Sequence, residues 1–373
     1  MAAPVVASAT QAVISVSPSE LRKEIKRALR TKINILVLGR PGIGKTEIPQ
    51  GIARDLEVGF KRIVLPQFDE VDLRGIPDVN EKKRTVFYPT EELPYEDKDT
   101  KHGILLLDEL PSARQSVMII AHQILDSRRL GSLYELPEGW VIVATGNEAS
   151  DYCFVYELPP TVRTRCVVLH LESNFEQWKP WAMDNNISPE ILSYLKNNPQ
   201  DFINYTPENA VTNHALPRTW MLLSRYLNDC SEHGEAPTMA YVIGQVGEGV
   251  GTKFFGWRSI WQDVPDINAV LKGEVDSIPR ATATQWCVVC ALTTRLVSTS
   301  QKDPELGRYL QNAFAYINRF EADLLIAFLN DLMPTKFWHR NKAVILATPE
   351  WGKISLKNAK IIMGNMSREA ETE

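Results

Sequence analysis

INILVLGRPGIGKT, residues 33–46, is the stretch that decides the fold of this chain. Ile33, Ile35, Leu36, Val37 and Leu38 predict a buried parallel strand, and a glycine-rich loop follows it. Gly39, Gly44, Lys45 and Thr46 meet the spacing G-x-x-x-x-G-K-[ST] of a phosphate-binding loop. In such a loop Gly42 and Gly44 let the backbone turn, so that successive N–H groups face phosphate oxygens. A helix starting near Lys45 would add the positive end of its dipole. The spacing assigns Lys45 to the β- and γ-phosphates and the Thr46 hydroxyl to a magnesium shell. The expected binding stretch is therefore Gly39, Arg40, Pro41, Gly42, Ile43, Gly44, Lys45, Thr46 and Glu47, and its ligand a nucleoside triphosphate.

Outward from that loop, the pattern alternates. Upstream, Ser17-Pro18-Ser19-Glu20 reads as a capping box with proline at the first helical position, opening a helix with Leu21, Ile25 and Leu29 on one face. Its Arg22, Lys23, Lys26, Arg27 and Arg30 read as a solvated face, with a nucleic-acid face as the other possibility. The first 16 residues read as a flexible tail. Downstream come a strand at Ile63-Val64-Leu65, a hairpin in IPDVNEKKRTVFYP and the apolar strand of HGILLLDEL. A helix over 112–128, a turn or short hairpin in RRLGSLYELPEGW, and the strands of WVIVATGNE and CVVLHL follow. Strands alternating with helices predict a parallel sheet covered on both faces. Beyond about residue 172 only helical periods remain, in segments such as PRTWMLLSRYLND and ELGRYLQNAFAYINRFEADLLIAFLNDL.

Composition sets limits on what this architecture does. At 373 residues and 44% apolar, the chain has room for two domains with real cores. A net charge of −5 argues against a dominant basic surface for nucleic acid. No run of eighteen apolar residues predicts a spanning helix, and the N-terminus lacks the charged start of a secretory signal. Five cysteines at scattered positions suit a reducing compartment, the cytoplasm. Cys287 and Cys290 form a CxxC inside an apolar helical run, which reads as buried packing; a redox pair and half a zinc site are the alternatives.

Hydrolysis needs more than a loop. Asp108 ends an apolar strand and is placed to hold magnesium through water, while Glu109 beside it can orient and deprotonate the attacking water. Asn147 ends another strand, where its amide can reach the γ-phosphate and the lytic water.

In order and spacing, GRPGIGKT, ILLLDE, RRLGSLYELPEGW, VATGNE, LPPTVRTR and LPRTW resemble the MoxR-type AAA+ ATPases. DLRGIPDVNEKKRTVFYPTEELP is similar to the helix-2 insert of that clade, and VGEGVGTKFFGW and LKGEVDSIP to its lid segments. The likeness covers roughly residues 17–300; the C-terminal seventy or so residues carry no motif. It implies an α/β P-loop AAA+ core with a parallel sheet over 17–171, a helical lid over 172–300 and a C-terminal helical extension over 301–373. It also implies ATP and Mg2+ as ligands, Asn147 as sensor 1, and Arg218 as the sensor-2 arginine of the lid. Arg165 matches the arginine that reaches the neighbouring subunit's γ-phosphate, with Arg163 able to share the role; always-charged guanidinium forks suit phosphate. Cys166 departs from the aromatic residue that commonly follows that arginine. A homo-oligomeric, commonly hexameric ring is implied, one that remodels a protein target or assists metal or cofactor insertion, often with a von Willebrand A-domain partner. A nucleic-acid-directed motor or loader is the alternative, disfavoured by the acidic balance and by ATGNEAS in place of an MNTAD-type signature. A ring whose hydrolysis is incidental is a third reading, against which intact Glu109 and Arg165 speak.

Overall fold

A computed structural model describes residues 15–147, 155–205 and 212–357. Cys153, most of the expected tail and the last sixteen positions lie outside the described residues. The chain divides into two compact units, Met1–Ser173 and Asn174–Glu373.

Unit 1 is built on alternating strands and helices. In chain order it has β1 (Ser15–Val16), α1 (Pro18–Thr31), β2 (Ile35–Leu38), α2 (Glu47–Asp55), β3 (Gly59–Val64), α3 (Glu70–Arg74), β4 (Ile76–Val79) and β5 (Thr85–Tyr88). Then come β6 (Gly103–Asp108), α4 (Gln115–Ser127), β7 (Arg129–Leu130), β8 (Tyr134–Glu135), β9 (Trp140–Gly146), α5 (Pro160–Arg163) and β10 (Val167–Leu171). Six strands form one sheet in the order β1-β10-β2-β9-β6-β3, every pairing parallel. The two hairpins expected from sequence are present as the antiparallel pairs β4-β5 and β7-β8.

Local chemistry explains these elements. Ser17 caps α1 in a full capping box with Glu20, and Leu21, Ile25 and Ala28 form its buried stripe. Along β2, β6 and β9 every residue is buried, as strands covered on both faces require. Leu36, Leu38, Leu105, Leu107, Ile142 and Ala144 belong to the core that α4 closes with Val117, Ala121 and Ile124. Ile33, expected in the first strand, is instead half exposed and outside β2. At the end of the expected tail, Ser15 and Val16 pair with His170 and Leu171 at the sheet edge.

Unit 2 is helical among its described residues: α6 (Phe175–Asp184), α7 (Pro189–Asn197), α8 (Pro217–His233), α9 (Met239–Val246), α10 (Glu248–Trp261), α11 (Ile267–Lys272), α12 (Thr282–Val297), α13 (Leu306–Ile317), α14 (Ala322–Leu332), α15 (Lys336–Ala347) and α16 (Pro349–Lys357). One core gathers Trp220, Tyr194, Phe202 and Phe254 from α7, α8, α10 and the α7–α8 connection. A second joins Val288 and Leu292 of α12 to Phe314, Phe328 and Trp338. Helices on both sides of residue 300 thus share apolar packing. Among the described residues no helix is long and apolar enough to cross a membrane.

A buried ion cluster ties four of these helices. Lys179 of α6 and Lys196 of α7 both bind the Asp331 carboxylate of α14, with Lys196 Nζ at 3.0 Å. Lys196 also lies 4.6 Å from the ring centroid of Trp286 on α12. Burial pulls the Lys179 ammonium down, but Asp331, with smaller help from Cys290 and Glu176, more than offsets it, so its pKa stands above the ordinary value. Removing one member of a buried pair strands the other charge. Asp331→Ala is therefore expected to cost about 3–5 kcal/mol in urea unfolding; a loss within about 1 kcal/mol would mean that the cluster is no better than a surface pair.

Cys287 and Cys290 sit one turn apart on α12, both buried and both free thiols. Among the described residues no group of three or more His, Cys, Asp or Glu side chains could hold a metal ion, which leaves the CxxC without the partners of a zinc site. Burial pushes the Cys287 thiol up to about 11 and raises Cys290 too. Since the thiolate is the reactive form, both should stay unmodified by iodoacetamide at pH 7.5 in the folded chain and react once it is denatured. Peptide mass spectrometry reads the difference.

Candidate active site

β2 is buried to its last residue, so the polar loop begins where the strand leaves the core. Gly39 then turns at φ +149, where a Cβ would stand 2.6 Å from the Leu171 carbonyl oxygen at the end of β10. Only a residue without a side chain lets loop and strand approach so closely. Gly42 and Gly44 also take positive φ. Arg40 and Glu47 are exposed, Pro41 is half-buried and Ile43 is buried beneath the loop. α2 starts at Glu47, two residues later than expected, with Thr46 at its N-cap. The Thr46 hydroxyl makes no capping bond. It donates instead toward the Asp108 carboxylate, at 3.3 and 3.2 Å from Oδ1 and Oδ2.

Lys45 is 9% exposed, and its Nζ donates to the carbonyls of Gly39 at 2.5 Å and Arg40 at 2.7 Å and to Asn147 Oδ1 at 2.7 Å. The ammonium thus spans the loop and the tip of β9. The β2-β9 register, Leu38 opposite Gly146, puts Asn147 beside the start of the loop.

Asp108 ends β6 and is buried. Two residues that sequence reasoning missed hold its carboxylate. Thr145 of β9, fully buried, donates to Oδ1. Arg62 of β3 donates to Oδ2 from Nε at 2.8 Å and pairs with it through Nη2 at 2.6 Å. Thr145 carried a sequence signal, being a hydroxyl inside an otherwise apolar strand two positions before Asn147. Arg62 carried no comparable one, since it stands beside Lys61 in a charged pair just before Ile63-Val64-Leu65. Glu109 follows in the left-handed region, φ +59, uncommon for a side chain of this kind. That twist leaves the Glu109 side chain exposed, while its N–H donates to Thr145 Oγ1 at 3.3 Å.

Arg165 is bound to its own chain: Nε donates to Asp126 Oδ1 of α4 at 2.5 Å and Nη1 to the Thr161 carbonyl at 2.8 Å. Arg163, the last residue of α5, is exposed, and its guanidinium has no partner among the described residues. Arg218 is exposed in the first turn of α8, in unit 2.

A lysine, an amide, a hydroxyl and a carboxylate thus gather at the C-terminal ends of β2, β6 and β9. The hydroxyl and carboxylate of Thr46 and Asp108 are all-oxygen donors, which fits hard Mg2+ shared with phosphate oxygens.

Residues 34–166 match the family model of the AAA domain, dynein-related subfamily. No curated protein matches the chain. Among solved structures, a mutant form of Thermotoga maritima RuvB is similar at 15% identity, covering 68% of this chain and 74% of that one, with a TM-score of 0.38. The Thermotoga maritima RuvB Holliday junction branch migration motor shares 15% identity over 79% of this chain and 87% of its own, TM-score 0.36. NtrX from Brucella abortus, in complex with ADP, shares 16% identity over 86% of this chain and 69% of its own, TM-score 0.36. With its P-loop and parallel sheet, the segment from 34 to 166 is an AAA+ domain, and the chain is an ATPase that uses ATP with Mg2+.

Proposed function

We propose that this chain is a MoxR-like ring ATPase that couples ATP hydrolysis to remodelling of a protein target, or to metal or cofactor insertion, with a von Willebrand A-domain protein as partner. The observation that supports the ATP-hydrolysing part of this reading is the 2.7 Å contact of Lys45 Nζ with Asn147 Oδ1, beside the Thr46–Asp108 contact; the ring, its target and its partner rest on the sequence resemblance alone. The Lys45–Asn147 contact draws residues of two separate motifs, one on the loop and one on a neighbouring strand, to a single point.

In this reading Lys45 and the loop N–H groups hold the β- and γ-phosphates, and Asn147 orients the attacking water. Thr46 and Asp108 hold Mg2+, which when bound neutralises charge on the phosphate oxygens. Glu109, turned outward by its backbone, takes the proton from the water. Arg218 contacts the nucleotide of its own subunit. A guanidinium from the next subunit completes the pocket in a homo-oligomeric ring, commonly of six. Arg165 is the proposed donor, with Arg163 able to share the role; within the single chain Arg165 pairs with the half-exposed Asp126 and Arg163 is exposed.

Two experiments test the assignment. Glu109→Gln should keep ATP binding in calorimetry and cut kcat by about two orders of magnitude or more; normal turnover would remove Glu109 as the base. Arg165→Ala should lower kcat by about 10³-fold or more, with partial rescue when mixed with Lys45→Ala subunits, whose fingers are intact. A larger loss from Arg163→Ala, rescued in the same mixtures, would give the role to Arg163, and no rescue for either would refute a trans arginine.

A further inference from the structure

We propose that Arg62 is a positioning residue for Asp108, a resident counter-ion that holds the carboxylate and competes with Mg2+ for it; this rests on the reading of Asp108 given above. The Asp108 side chain is only 4% exposed. A carboxylate so buried needs a compensating charge or a full set of donors, because burial removes its hydration. Thr145 and Thr46 supply hydroxyls, but neither carries charge. Arg62 does, and it engages Oδ2 from two nitrogens.

The two ends of this ion pair differ in freedom. Val64 pairs with Asp108 in the β3-β6 register, so Arg62 reaches the carboxylate from two residues earlier along the outermost strand. Its side chain is 45% exposed. The guanidinium can therefore swing into water and leave no cavity, and it stays charged when it does. Thr145 has no such exit, being fully buried within β9. A cation that leaves easily beside a carboxylate that cannot be left bare is an exchangeable counter-ion. Mg2+ drawn to Thr46 and Asp108 meets the positive charge of Arg62 and must displace or outcompete it. Arg62 thereby sets how much Mg2+ nucleotide binding requires, and keeps Asp108 in place until that ion arrives.

The test uses the full-length chain with ADP, so that no turnover intervenes. ADP affinity is measured by calorimetry over a Mg2+ series, and thermal unfolding is followed in EDTA and in saturating Mg2+ with ADP. For Arg62→Gln, the Mg2+ concentration giving half of the affinity gain should fall about five- to fiftyfold, within the span of ordinary coupling between two sites. Its melting temperature in EDTA should lie below that of the unmodified chain, and the gap should close with Mg2+ and ADP. Arg62→Lys, which keeps the charge, should stay near the unmodified half-point. An unchanged or higher half-point in Arg62→Gln, with Asp108→Asn losing its Mg2+ dependence, overturns the role of Arg62 and leaves Asp108 as read. Full Mg2+ dependence in Asp108→Asn overturns the reading of Asp108 itself.

Discussion

The shared register of three buried parallel strands is the constraint on which the rest of unit 1 depends. β2, β9 and β6 are buried along their length, and apolar except for Asp108 and Thr145 near their C-terminal ends, because helices cover both faces of the sheet. Polar chemistry can therefore appear only where the strands emerge. The pairing of Leu38 with Gly146, and of Leu107 with Ala144, makes them emerge together. Lys45, Asn147 and Asp108 are far apart in sequence, yet hydrogen-bonded backbone brings their strands to one edge. The side chains then need only short reaches to meet.

That geometry also explains what could be read from sequence. The P-loop was legible because its information is local: turn glycines, a lysine and a hydroxyl at fixed spacing after an apolar run. Asp108 and Asn147 were legible for a related reason, since each ends a run too apolar to be anything but core. Arg62 and Thr145 were not, because their importance lies in which strand neighbours which. Nothing along the chain near Arg62 announces that Asp108 is across the ladder. Ser15 and Val16 are too few to produce a period, and only the edge of β10 makes them a strand. The pairing of Arg165 with Asp126 was equally closed to sequence, because a helix on the other side of two hairpin strands supplies the carboxylate.

Unit 2 depends on a different balance. Its apolar helical periods were readable, but their partners were not, because helix packing has no counterpart of strand register. Large aromatic residues fill the first core, and the second runs across the position where the family likeness ends. The Lys179–Asp331–Lys196 cluster links helices from both sides of that position. A buried charge cluster is poor stabilisation compared with apolar packing, yet it penalises any arrangement that separates its members. Its effect is to make one helical arrangement stand out from its neighbours in energy.

The close approach of Gly39 to the Leu171 carbonyl has a mechanical side. Leu171 closes β10, and Ser173 is the last residue of unit 1. The first glycine of the phosphate loop thus packs against the strand by which the chain leaves that unit, and any side chain added at position 39 would have to displace one or the other.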